Sequence, residues 1–310
     1  MQPSGYTAAA TDFTGVLLFS HSAPLPKGEF TSLPELIVEE IEKEVRALGI
    51  PLLAVCVGMP GIIDSVHGTV IQSDIFNART AAFSRLRGPL SHVPLFIENE
   101  ANCLAWHELL RLREQECGSF LCINTEYTGD ASRFSSCNGL SVGVGIALNG
   151  RVYSGSRFAA GEFVSYQWNG DSIGQGNFSV SSNFSTEKNT VFDGWVHEVF
   201  ESLIPTVSLL DAHAVIVHGE FARKQGEVKR ILDRDVPKFA AILKRTGCEL
   251  LFSDGDSRAV SLGAAHMFLM RLFSMRALEE SSEMCLTWEG VIETATKIVE
   301  TKTQINTLTP

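Results

Sequence analysis

The chain has 310 residues, 45% of them hydrophobic and 20% charged, which is enough to bury the cores of two lobes. Its 25 Lys and Arg stand against 36 Asp and Glu, and the resulting formal charge of −11 excludes a large nucleic-acid footprint on the chain itself. Seven scattered cysteines without a CxxC pair favour reduced thiols over a zinc cage or a disulfide framework.

The N-terminal stretch MQPSGYTAAATDF lacks the basic start and apolar core of a signal peptide. The longest nearly uncharged run, Pro51–Ile63, is too short to span a bilayer. A cytoplasmic location with no membrane partner is therefore expected. Tyr6–Phe19 reads as two short strands joined at Asp12–Gly15. Ser32 as N-cap, with Pro34 and Glu35 behind it, starts a helix whose apolar positions repeat through Leu48 and which ends at Gly49. PLLAVCVG then reads as a strand buried on both faces, in a parallel or mixed sheet covered by helices. A further strand at Pro94–Ile97 leads into a helix over Asn102–Arg113.

Beyond it, Ser119–Asn124 is a strand, and Gly139–Asn149 with Arg151–Tyr153 forms a hairpin around Asn149-Gly150. Residues 165–190, rich in Ser, Asn, Gly and Gln, read as a long loop. Val191–Leu210 is a helix, AVIVHG a strand, and residues 225–245 one polar helix with a solvated face, since acids interleave its cations. CELLFS is the last strand, and an Ala-rich helix follows from about Ser257. Its apolar run Leu262–Leu272 suits a core or a dimer contact equally. The resulting division is a smaller α/β lobe over 1–98, N-terminally incomplete and joined by the helix of about 257–278, a larger α/β lobe over 99–256, and a helical tail over 279–310.

Four stretches carry a resemblance: VGMPGIID at 57–64, IENEAN at 97–102, GVGIALNGRVYSGSRFAAGE at 143–162, and LLDAHAVIVHGE at 209–220 followed by SLGAAHMF at 261–268. In this order and spacing they resemble the ROK family of repressors, open reading frames and sugar kinases. The resemblance implies a two-lobed α/β fold of the actin-like ATPase (ribonuclease H-like) type, with sugar and nucleotide meeting in a cleft. It implies that Gly61, Asn99, Glu100 and Glu162 hold the sugar. In the family's kinases an aspartate at the position of Glu100 is the general base that takes the proton of the attacking hydroxyl. The extra methylene of glutamate displaces that carboxylate by roughly 1 Å, a scale at which misplacement can cost about 10²-fold. The spelling ENEAN resembles the xylose-repressor branch, so Glu100 reads as a vestigial base. A simpler reading of Glu98–Asn102 is a helix cap.

The same resemblance marks losses. Ser165 stands where the family has a zinc-binding histidine, Val164 where it has a glycine, and residues 166–190 hold no Cys or His, so no zinc is expected. The phosphate-binding loop has no counterpart in MQPSGYTAAATD. Leu140 replaces a phosphate-contacting threonine beside Gly143, and His218-Gly219-Glu220 replaces a glycine triplet, with Glu220 adding negative charge. No cofactor is expected.

His67 reads as a surface-turn residue, His107 as a helix flank with Trp106 in the core, and Asp64 and Asp74 as turn residues. His213 and His218 straddle a strand without a third ligand type, so no metal is assigned to them. The expected function is a non-catalytic sugar-sensing regulator, the effector-binding and dimerisation part of a ROK-type repressor. It would be a homodimer or homotetramer that meets DNA only through a domain outside this chain. The alternatives are an ATP-dependent, glucokinase-like sugar kinase with Glu100 as base, and a degenerate ROK scaffold protein.

Overall fold

A computed structural model of the protein describes residues 1–83, 86, 90–115, 117–128, 139–168, 170, 175–176 and 188–273. The expected tail over 279–310, and most of the expected loop over 165–190, lie outside these residues.

The N-terminal third begins with an antiparallel pair, β1 (Tyr6–Thr11) and β2 (Leu17–Ala23). The expected single helix after it is broken. Ser32 closes a 3₁₀ turn in a helical conformation without a side-chain cap, and α1 (Leu33–Glu40) is separated from α2 (Glu42–Ala47) at Ile41. The apolar repeat continues across the break because Ile37 and Ile41 both reach Tyr6 in one core cluster. Side-chain periodicity reports burial and is blind to such an interruption.

Next, β3 (Val55–Met59) pairs in parallel with β7 (Leu95–Asn99), so that Met59 lies opposite Asn99. Between them the chain forms an antiparallel meander of β4 (Ile62–Asp64), β5 (Thr69–Ser73) and β6 (Ala78–Ala82). It carries too many turn and polar residues to stand out in sequence. Leu33, Met59, Ile63, Val70, Phe76 and Ile97 form the core beneath it.

α3 (Glu100–Arg111) starts directly at the end of β7, two residues earlier than expected. It lies against a five-stranded sheet ordered β10-β9-β8-β11-β12, made of β8 (Phe120–Thr128), β9 (Gly139–Leu148), β10 (Arg151–Val152), β11 (Ala214–Gly219) and β12 (Glu249–Phe252). The close approach is possible because Gly145 lacks a side chain: a Cβ there would sit 2.2 Å from the Ala101 carbonyl oxygen. At the β9–β10 turn Asn149 and Gly150 both take positive φ, as their sequence predicts.

α4 (Lys188–Leu210) and the helices α6 (Gln225–Asp235) and α7 (Pro237–Thr246) cover one face of this sheet, with Phe200 packed against both Phe221 and Phe239. The expected polar helix over 225–245 is thus two helices, because Pro237 opens a new helix instead of extending α6. The four-residue α5 (Glu220–Arg223) links β11 to α6. α8 (Ala259–Phe273) packs on α3, β1 and β3. Its apolar face, with Met267, Phe268 and Leu272, meets Phe96, so that face is used inside the chain. None of the described helices is long and apolar enough to cross a membrane.

Candidate functional site

The β7–α3 junction separates two nearby acids. Glu98, the last inward residue of the strand, is 1% exposed. Its Oε1 accepts the Asn99 amide at 2.9 Å and Asn102 Nδ2 at 3.1 Å, and Arg271 from α8 approaches Oε2 at 3.6 Å. Arg271 in turn donates to the Ser65 hydroxyl at 2.8 Å and to the Ser65 carbonyl at 3.1 Å. Burial pushes the Glu98 carboxyl above its ordinary range, and Arg271 and the hydrogen bonds oppose it. This cluster ties strand, helix and α8 together.

Asn99 is the helix cap. Its Oδ1 accepts the amides of Ala101 at 2.8 Å and Asn102 at 3.2 Å, while its Nδ2 donates to the Gly61 carbonyl at 2.8 Å. Gly61 has φ +131, and a Cβ there would fall 2.4 Å from the Gln72 carbonyl oxygen, so only glycine fits the turn. The structure thus joins Gly61 and Asn99 directly. Both ends of the Asn99 amide position the start of α3 and the Gly61 turn.

Glu100 points the other way. Its carboxyl meets the side-chain amide of Gln2 and, at 3.4 Å, Asn124 Nδ2 from β8. Burial, first, and the neighbouring Glu126 and Glu162 push its pKa up to about 8, against the pull of the Met1 ammonium and Asn124. Glu126, near the end of β8, is also pushed up, chiefly by burial, and is 3.5 Å from Arg223. Glu162 is bridged through its backbone to Gly143 and is raised by burial and then by Asp74. Glu126 and Glu162 thus act on Glu100 across the cleft. Asp74 acts on Glu162 in turn, which makes it more than a turn residue, and Arg79 lies 2.7 Å from it. Glu100, Asn124, Glu126 and Arg223 all line the same cavity of about 1120 Å³.

The remaining expected positions divide. Leu140, 3% exposed, is part of the core with Leu121 and Val142. Its side chain belongs to the sheet interior. Gly143 lies where β9 approaches α3, with a Cβ there meeting Ala101 Cβ at 3.1 Å. Gly219 has φ +72, and a Cβ there would lie 2.0 Å from the Thr125 carbonyl oxygen. Thr125 locks this corner by donating to the His218 carbonyl and accepting the Phe221 amide, both at 3.0 Å. Glu220 does not add unopposed charge, because Arg223 and Lys224 lie 3.0 and 3.4 Å from it.

Ser165 is buried and accepts the Gln167 amide at 3.1 Å, while its own amide donates to the Gln175 carbonyl at 2.6 Å. The Gln175 side chain spans both backbone groups of Val142, at 2.7 and 2.6 Å. Neutral hydroxyl and amide groups make a poor donor set for zinc, so the described residues here do not fit that ion. Among the described residues no group of three His, Cys, Asp or Glu is placed to hold a metal.

Of the histidines, His67 is an exposed turn residue 2.8 Å from Asp64, as expected. His218 is buried 3.2 Å from Glu108 and is structural. Asn124, Glu126, Arg223 and Gln2 escaped the sequence reading. The only signal for the first two is the break from apolar FLCI to polar NTE at the C-terminal end of a strand parallel to β11.

The ROK family profile matches residues 6–171. A putative xylose repressor of Caldicellulosiruptor sp. (strain Rt8B.4) is 27% identical over 186 residues, which cover 57% of this chain and 43% of that protein. An N-acetyl-D-glucosamine kinase of Photobacterium profundum is 30% identical over 142 residues, covering 44% of this chain and 41% of the kinase. The chain thus spans less than half the length of either relative. Among solved structures, a ROK family transcriptional regulator, a homolog of the E. coli MLC protein, superposes with a TM-score of 0.66 at 13% identity, over 96% of this chain and 79% of that one. A ROK hexokinase from Thermus thermophilus superposes with a TM-score of 0.62 at 20% identity, over 86% of this chain and 95% of that one. These likenesses give the fold, the actin-like α/β architecture that ROK kinases and regulators share.

Proposed function

The chain belongs to the ROK family, and from that premise we propose that it is a sugar-binding regulatory module that performs no phosphoryl transfer. Relatives of both kinds, repressors and sugar kinases, match it. The observation that carries the regulatory reading is the charge of the cleft. Glu126 and Glu162 raise the proton affinity of Glu100, while the nearby cations Arg223 and Lys224 are engaged by Glu220 and Glu126.

Phosphoryl transfer rests on positioning and on cationic or amide stabilisation of the phosphates. A cleft of this charge disfavours a triphosphate. It suits a neutral polyol, whose hydroxyls donate to carboxylates and accept from Asn124. Glu100 then serves as an acceptor for a sugar hydroxyl, or as a donor when protonated, with Glu162 as a second contact. In a regulator, binding would bias the arrangement of the two sides of the cleft and be read by a homodimeric or homotetrameric assembly and a DNA-binding domain outside this chain.

The kinase reading keeps one supporting observation: a carboxyl tuned to about 8 lies close to the working pH, as a general base should. Calorimetry with xylose, glucose and N-acetylglucosamine, with and without Mg-ATP, separates the two. The regulatory reading expects sugar binding that is indifferent to nucleotide and no sugar phosphate formed. ATP-dependent phosphorylation that disappears in Glu100→Gln would replace it with the kinase reading.

A further inference from the structure

β9 pairs with β8 along its whole length on one side, whereas on the other side β10 reaches only Leu148 and Ala147. The chain that follows β10 takes the next outward groups of that edge. The Tyr153 amide donates to the Ile146 carbonyl at 2.8 Å, the Val144 amide donates to the Gly161 carbonyl at 3.0 Å, and Glu162 lies opposite Gly143. Gly161 and Glu162 thus begin a short antiparallel ladder whose register would bring Phe163 opposite Val142, with both backbone groups of Val142 turned toward it. Phe163 instead enters the core with Leu121 and Val199, and the chain leaves the edge.

Gln175 takes the place that Phe163 leaves. Its Oε1 accepts the Val142 amide at 2.7 Å, and its Nε2 donates to the Val142 carbonyl at 2.6 Å. A side-chain amide carries the same donor and acceptor as a peptide group, so it can close the ladder where the main chain departs. The Gln175 carbonyl also accepts the Ser165 amide at 2.6 Å. One residue therefore holds both the strand edge and the chain that has left it. Beyond Ser165 the contacts pass to α4: the Tyr166 amide donates to Ser202 Oγ at 3.3 Å, and the Tyr166 hydroxyl donates to Glu201 at 2.6 Å.

Glu162 lies between these anchors. Gly161 before it has φ +86, and a Cβ there would fall 1.7 Å from the Val144 carbonyl oxygen, so the approach to β9 is close and fixed. Phe163 and Ser165 are buried, and the alternation of an extended chain turns Glu162 and Val164 outward.

We propose that Gln175 is a positioning residue for Glu162: its side-chain amide replaces a peptide group on the edge of β9, its carbonyl holds Ser165, and together they fix the direction in which the Glu162 carboxyl leaves the chain. The consequence for ligand binding rests on the proposed function, in which Glu162 is the second sugar contact. The geometry demands a side chain that donates and accepts at once. An ionised carboxylate at this position keeps the Val142 amide but sets an oxygen against the Val142 carbonyl, whereas the protonated acid restores both bonds.

Carboxyl titration of Glu162 by carbon-13 NMR reads its position without any ligand. Burial, first, and Asp74 hold the Glu162 pKa above 4.5 in the parent. Gln175→Ala is expected to return it toward that ordinary value, and an unchanged titration overturns the proposal. Calorimetry against xylose, glucose and N-acetylglucosamine supplies the second readout. For a sugar that the parent binds, Gln175→Ala is expected to lose about tenfold in affinity at every pH, the scale of one or two hydrogen bonds. Gln175→Glu is expected to lose as much at about pH 8 and to regain most of it at about pH 5, each compared with the parent at the same pH. Parent-like affinity in both variants, with faster exchange of the Val142 amide, makes Gln175 a purely structural clasp and overturns the positioning role. A parent that binds none of the three sugars sinks the proposed function, and the Glu162 titration then decides this proposal by itself.

Discussion

The sheet of β8–β12 and the strands β1, β2, β3 and β7 use similar apolar residues, yet the first is continuous and the second is divided. In the five-stranded sheet every interior strand has two partners, and α4, α6 and α7 cover one face while α3 lies on the other. In the N-terminal region β1 and β3 each have one partner among the described residues and an apolar cavity between them. The difference teaches where stability and adaptability reside. A closed ladder with a filled core resists change, whereas a divided one leaves backbone groups and side chains open to further pairing.

The comparison breaks if equal truncations on the two sides cost the same. Phe200→Ala, in the filled core against Phe221 and Phe239, is expected to lose about 3–5 kcal/mol in urea unfolding. Arg271→Ala strips the partly exposed partner from buried Glu98 at the boundary of the two regions, and about 1–3 kcal/mol is expected after allowance for solvent. Ile41→Ala, beside the cavity, is expected to cost no more than about 1–2 kcal/mol, because the wall can relax into the space. If it matches Phe200→Ala, the cavity wall is as firmly packed as the closed core.

Glu100 sharpens the contrast through pH. Its folded pKa of about 8 lies above the ordinary 4.5, so the unfolded chain releases this proton first and folding loses stability as pH rises from 4.5 to 8. Glu100→Gln removes that loss. The thermal midpoint of the variant relative to the parent should therefore climb between about pH 5 and pH 8, and a constant difference would show that Glu100 ionises freely. The smallest effect is expected from Arg46→Ala, whose exposed pair with Glu42 on α2 should be worth less than about 0.5 kcal/mol.

Legibility followed the range of the interaction. β11 and the Asn149-Gly150 turn were readable because apolar runs and positive-φ residues are local signals. The α1–α2 break was hidden by a burial pattern that ignores it. Pro237 is a local break, but the polar composition of residues 225–245 runs across it. At the site, IENEAN was readable as a junction, but its three polar residues do three different things. Glu98 holds Arg271, Asn99 caps α3 and holds Gly61, and only Glu100 enters the cleft.

Local chemistry alone therefore set the α/β class and the place where strand meets helix, since composition, periodicity and turn residues act within a few positions of the chain, while the likeness to the family came from four motifs in their order and spacing. Packing decided the rest. That Leu140 faces the core, that Glu220 is neutralised, that Gln175 pins Ser165 to β9, and that Glu126 shares a field with Glu100 all depend on side chains meeting in three dimensions at a few ångströms. Burial and charge coupling arise only at that range, and no stretch of sequence contains them.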